Sequence, residues 1–128
     1  MELKVKLYLT DEEGEKFMGI GVLWLLQRVA EHGSLRKGAM SLGISYSKAL
    51  AMVQNLEQGL GVRVLDRRKG GSQRDGATLT PFAHRFIARY HEFEQEAKRR
   101  TEEPFEAFVK DLGTLIDRHD TDEEERDA

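Results

Sequence analysis

Arg36, Lys37 and Lys48 are cations placed where helices ordinarily disfavour them. Ser34 and Ser45 each have a side-chain oxygen able to accept from the free backbone N–H groups of a following helix, one starting at Leu35 and one just after Ser45. All three cations then fall in a first helical turn, opposing the macrodipole at a cost of up to about 1 kcal/mol each. An anion held jointly by the helix N–H groups and the basic side chains would offset that cost, and a phosphate backbone supplies anions at regular spacing. Tyr46, Ser47 and Gln54, beside Lys48, add groups able to meet base edges. The competing reading is that long basic side chains simply extend into water.

These side chains need two short elements to hold them. Gly43, eight residues after the first helix begins, can take the left-handed conformation that ends it. In the second helix Ala49, Leu50, Val53, Leu56 and Leu60 recur at three- and four-residue steps and form one apolar stripe, away from Tyr46, Ser47, Lys48 and Gln54. A short helix, a glycine turn and a longer helix make a helix-turn-helix. Upstream, Leu3, Val5, Leu7 and Leu9 alternate with polar residues and predict a strand that turns through Asp11–Gly14 into a return strand at Lys16–Met18. Gly19 and Gly21 then precede a helix that is apolar nearly all round (Val22 to Leu26, Val29, Ala30), read as a central core helix ending near Gly33. Trp24 in it is assigned to packing or subunit contact.

After Gly61, Val62–Lys69 reads as a strand, Gly70–Gly76 as a loop and Ala77–Thr80 as the returning strand, together a wing. Arg67, Arg68, Lys69 and Arg74 make it basic, and Gly70 and Gly71 let its backbone approach a groove or phosphate. A solvated hairpin tip is the alternative. Thr80-Pro81 starts a helix with Phe82, Phe86, Tyr90, Phe93 and Ala97 at helical spacing. Pro104 restarts or kinks the chain, and Phe105, Phe108, Val109, Leu112, Leu115 and Ile116 continue an amphipathic stripe to about Asp117. So much apolar surface exceeds what a small core covers and predicts a second subunit. From Arg118 to Ala128 an acidic, apolar-poor tail is expected to be disordered.

With 128 residues, 39% of them hydrophobic, the chain is expected to form one folded domain, residues 1–117, followed by the tail 118–128. It has no cysteine, which excludes disulfides and thiolate metal sites. No apolar run approaches the roughly 20 residues of a membrane span, so a cytoplasmic protein is expected. The net charge of −3 conceals a division: residues 27–75 hold nine Lys/Arg against four Asp/Glu, whereas residues 101–128 hold three against eleven. His32, His84, His91 and His119 are scattered without metal-ligand spacing, and Gly70-Gly71 lacks the residues of a nucleotide-binding loop. No catalytic constellation and no cofactor are expected.

From Gly33 through Tyr90 the sequence resembles the DNA-binding N-terminal domain of the molybdate-dependent transcription regulators (ModE). The matching residues are Gly33-Ser-Leu, Gly38-Ala, Gly43-Ile-Ser-Tyr-Ser-Lys-Ala, Leu65-Asp-Arg-Arg, Gly70-Gly and Leu79-Thr, with Arg85 and Tyr90 beyond. LysR-type regulators share the winged helix-turn-helix. The resemblance implies a homodimer on double-stranded DNA, with the Ser45–Leu60 helix in a major groove and the Arg67–Arg74 wing on backbone or minor groove. It also implies that the helix after the wing and the chain before the first helix contribute to the dimer. Ser72–Asp75 interrupts the family's glycine-rich wing. The family's molybdate-sensing domain has no counterpart here, so any sensor is expected on a separate protein.

The expectation is therefore a mainly α (α+β) fold, a winged helix-turn-helix with an N-terminal β-hairpin and long C-terminal helices. Its expected function is a non-enzymatic, sequence-specific transcription regulator. Ser34, Arg36, Lys37 and the wing would fix register on phosphates, and Ser45, Tyr46, Ser47, Lys48 and Gln54 would frame or make the base contacts. The alternative is a winged-helix protein-interaction module whose basic face docks an acidic partner or is covered by the chain's own acidic tail.

Overall fold

Ser34, Ser45 and Thr80 each accept a hydrogen bond from a backbone N–H three residues on, and these three caps set the frame of the fold. The computed structural model describes residues 1–67 and 76–127. In order, these form strands β1 (Tyr8–Thr10) and β2 (Lys16–Gly19), helices α1 (Ile20–His32), α2 (Leu35–Ser41) and α3 (Tyr46–Leu60), strands β3 (Leu65–Arg67) and β4 (Ala77–Leu79), and helices α4 (Pro81–Arg99) and α5 (Glu102–Asp127). The arrangement is the winged helix-turn-helix that the sequence predicts.

The chain divides into two compact units, Lys6–His91 and a second made of Met1–Val5 with Glu92–Ala128. In the first unit, the apolar stripes of α1, α2 and α3 meet the wing strands and the start of α4. Leu25, Leu26, Val29, Ala49, Leu56, Val64 and Ala83 are buried there, as are Met18 from β2 and Leu35 and Ala39 from α2. At about 25 cal/mol per Å² of apolar surface removed from water, this cluster is the dominant favourable term for the unit. The tight step between α2 and α3 is made by Gly43 at φ +71°, a left-handed conformation that costs a residue with a Cβ roughly 1–2 kcal/mol.

The two small sheets are antiparallel hairpins. In the N-terminal one Tyr8 pairs with Gly19 and Leu9 with Met18, with a register irregularity before Thr10. In the wing Leu65 pairs with Leu79 and Arg67 with Ala77.

Three expectations change. The first strand begins at Tyr8, not Leu3: Leu3 and Val5 belong to the second unit, where they line a shallow cavity with Lys98, Thr101 and Phe105. Helix α1 is not buried all round, since Ile20 and Trp24 are exposed and Trp24 lines an open groove with Arg28, Leu42, Leu79, His84 and Ile87. Lastly, α5 does not stop at Asp117 but stays helical to Asp127. Low apolar content predicts disorder there, yet residues 118–127 contain neither glycine nor proline, so no residue breaks the helix.

Candidate nucleic-acid interface

The capped starts of α2 and α3 lie side by side. Ser34 Oγ accepts from Lys37 N at 3.2 Å and Ser45 Oγ from Lys48 N at 3.1 Å, so both predicted caps form. Neither helix has an acidic residue in its first turn; Arg36 and Lys37 occupy that of α2 and Lys48 that of α3. Ser34 itself is only 5% exposed, so it frames the helix start from below the surface. Arg36, Lys37 and Lys48 are exposed. The Arg36 guanidinium carbon lies 4.4 Å from the centre of the half-buried Tyr46 ring, a cation–π contact that joins the two first turns.

The buried stripe of α3, with Ala49, Val53 and Leu56 at its centre, turns the opposite face outward. Ser47, Lys48, Ala51, Gln54, Asn55 and Gln58 are exposed on it, a ridge of hydrogen-bonding groups with a small residue in the middle. Ser47, Lys48 and Gln54 therefore stand where the sequence placed them. Asn55 was not singled out beforehand: its Nδ2 donates to the Lys16 carbonyl at 2.7 Å and so ties the ridge to strand β2. That partner is 39 residues away in the chain, and no local pattern reveals it.

The root of the wing is fastened from three sides. Glu57 Oε2 on α3 accepts from Val64 N at 2.7 Å and Leu65 N at 3.4 Å. Thr80 Oγ1 donates to the Arg63 carbonyl at 2.9 Å, and Thr80 N donates to the Val64 carbonyl. On the other strand, Ala77 N donates to the carbonyl of Gly33, the turn between α1 and α2, at 2.9 Å. These bonds fix where β3 and β4 leave the body relative to α2 and α3. Glu57 and Gly33 are wing-positioning residues that sequence reasoning missed. Arg67 ends β3, while Arg68, Lys69, Gly70, Gly71 and Arg74 lie outside the described residues.

The site is thus a surface that presents two capped helix N-termini and a polar helix face together. Among the described residues no group of His, Asp or Glu side chains could hold a metal ion. No described helix is long and apolar enough to cross a membrane.

The profile of the bacterial regulatory helix-turn-helix proteins of the lysR family matches residues 21–84, from the start of α1 into α4. The chain belongs to the LysR family. Within it, the DNA-binding domain of CbnR, solved as a complex with DNA, is similar at a TM-score of 0.54 and 28% identity, over 70% of this chain and 98% of that one. The BenM DNA-binding domain, solved on its benA site 1 DNA, gives 0.50 and 27%, over 66% of this chain and 89% of that one. Full-length CbnR, a LysR family transcriptional regulator, gives 0.51 and 28%. This LysR-type chain covers 28% of that protein, little more than a quarter of a full-length regulator. No curated protein matches the chain.

Proposed function

We propose that this LysR-type chain binds double-stranded DNA as a sequence-specific, homodimeric transcription regulator of the cytoplasm. The observation that carries the reading is the ridge of α3 set beside the cationic first turn of α2, in a fold whose relatives CbnR and BenM were solved on DNA. In this reading α3 enters a major groove. Lys48, Ser47, Tyr46 and Gln54 reach base edges, Ala51 gives the groove floor close access, and a good base contact discriminates by about 1–3 kcal/mol. Arg36, Lys37 and the basic wing Arg67–Arg74 contact phosphates and set register.

The likeness of Gly33–Tyr90 to ModE DNA-binding domains is a finer form of the same proposal. It bears on how the wing lies on DNA and does not extend to molybdate.

The test compares Lys48→Ala with Lys37→Ala on a preferred and a scrambled duplex. Lys48→Ala should lose discrimination between them. Lys37→Ala should weaken both alike and reduce the slope of log K against log salt by about 1. Equal, wild-type binding by both variants would move the proposal to the second class, a winged-helix module that docks an acidic protein partner.

A further inference from the structure

Val53 stands at the centre of the buried stripe of α3, and each residue turns a helix by roughly 100°. Asn55, two residues on, therefore faces almost directly away from the core, in line with Lys48, Ala51 and Gln58 at steps of three, four and three. Gln54 falls on the flank of that line. Among the described residues, Asn55 is the one side chain of the line that a hydrogen bond holds in place.

The Lys16 carbonyl can only accept, so the amide nitrogen of Asn55 is the end that faces it, at 2.7 Å. This leaves the exposed amide with Oδ1 as an acceptor and a second N–H as a donor, neither of them paired among the described residues. The carbonyl is itself held firmly. Met18 is wholly buried, and the Phe17 ring occupies the place where Gly59, one turn beyond Asn55 on α3, would carry a Cβ. The Lys16 stem lies along Gly19, with Cε 3.3 Å from where a Cβ of Gly19 would stand, and its ammonium is 5.1 Å from the centre of the Tyr8 ring on the paired strand. The LysR-family profile begins at residue 21, so the hairpin that orients Asn55 lies upstream of the family match.

We propose that Asn55 selects adenine, with its amide oriented for that contact by the N-terminal hairpin. In the major groove adenine presents the N6 amino donor beside the N7 acceptor, the complement of an amide oxygen beside an amide N–H. Guanine presents two acceptors at the same edge and would set O6 against Oδ1, while cytosine and thymine each offer only one of the two groups. An amide already tied to Lys16 has given up the rotamer freedom that binding would otherwise remove, so the contact forms at less cost than one made by a free side chain. This role rests on the DNA-binding reading above, and adds to it a base and a residue in the second half of α3 that reads it.

The test selects random duplexes in parallel with the full wild-type chain and with Asn55→Ala. At one base pair of each half-site the wild type should prefer adenine by roughly 5- to 150-fold and Asn55→Ala should show no preference, with the rest of the motif kept. Asn55→Ala also cuts the tie to Lys16, so a second measurement alters only the DNA. Replacing that adenine by 7-deazaadenine removes N7, and should weaken binding by the wild type several-fold while leaving Asn55→Ala unaffected. A motif that Asn55→Ala leaves unchanged, a preference lost evenly along its whole length, or wild-type binding insensitive to 7-deazaadenine would overturn the role of Asn55. Failure of the wild type to enrich any motif would instead overturn the DNA-binding reading itself.

Discussion

The guanidinium of Arg36 lies 4.4 Å from the centre of the Tyr46 ring, so a side-chain pair joins the first turns of the two helices of the helix-turn-helix. One cation is thereby held at a defined position beside the ridge of α3. Such a contact contributes about 0.5–1 kcal/mol at an exposed site.

Arg36→Ala is therefore expected to lower stability by about that amount, and to weaken DNA binding while reducing its salt slope by about 1. Tyr46→Phe keeps the ring and should leave stability near wild type, so any loss of selectivity it causes belongs to the hydroxyl. Urea unfolding and salt-dependent binding of the two variants check this together.

Glu57 anchors the root of the wing by accepting from Val64 N and Leu65 N. In Glu57→Ala the buried Val64 would lose its acceptor, and the expected cost is about 1–3 kcal/mol. Faster amide exchange at Val64 and Leu65 than elsewhere in the core would show that the loss is local to the wing. Uniform change across the domain would contradict this role.

Gly59, in the last turn of α3, leaves its Cβ position to the ring of Phe17 from β2, with ring carbons 2.7 and 2.8 Å from where that Cβ would stand. Alanine is the better helix former by about 1 kcal/mol, yet overpacking costs about 1–3 kcal/mol. Gly59→Ala is thus expected to destabilise, and to be partly rescued when combined with Phe17→Ala. Denaturant melts of the double-mutant cycle measure the coupling; strict additivity would remove the steric account.

The parts of this fold legible in the sequence are those governed by local chemistry. Ser34, Ser45 and Thr80 accept from N–H groups three residues on, and Gly33, Gly43 and Gly61 take left-handed φ values at turns. Each is a contact within a few residues, so residue type alone signals it. Glu57 and Asn55 were invisible for the opposite reason: their partners are brought near only by tertiary packing, and a glutamate or asparagine on a helix ordinarily faces water. The exposed side of α1, with Ile20 and Trp24, was not legible because apolar type says nothing of what covers it. In the last turns of α5, from Arg118, the polar composition hid a helical stretch that contains no glycine or proline.

Acid should act on the end of α4. The hydrogen bonds from Arg99 and Arg100 hold the Glu96 carboxyl below the ordinary carboxylate range, and Glu96 in turn raises Arg99 with a smaller contribution from Glu102. A carboxylate with a lowered folded-state pKa stabilises above its unfolded value, and that contribution disappears as pH falls through the lowered value. The group is open to solvent, which screens these pairs, so the effect is small. Helicity monitored by circular dichroism should show an acid-induced decrement in the wild type that is diminished in Glu96→Gln. Identical acid titrations of the two would contradict the assignment.

The most direct test of the DNA-binding account is selection from a pool of random duplexes by the purified protein at two salt concentrations, with mass followed by light scattering. The account predicts enrichment of a two-fold symmetric motif by a dimer, with half-sites about 34–36 Å apart or at a multiple of that spacing. Weak, strongly salt-dependent binding with no enriched motif would contradict it.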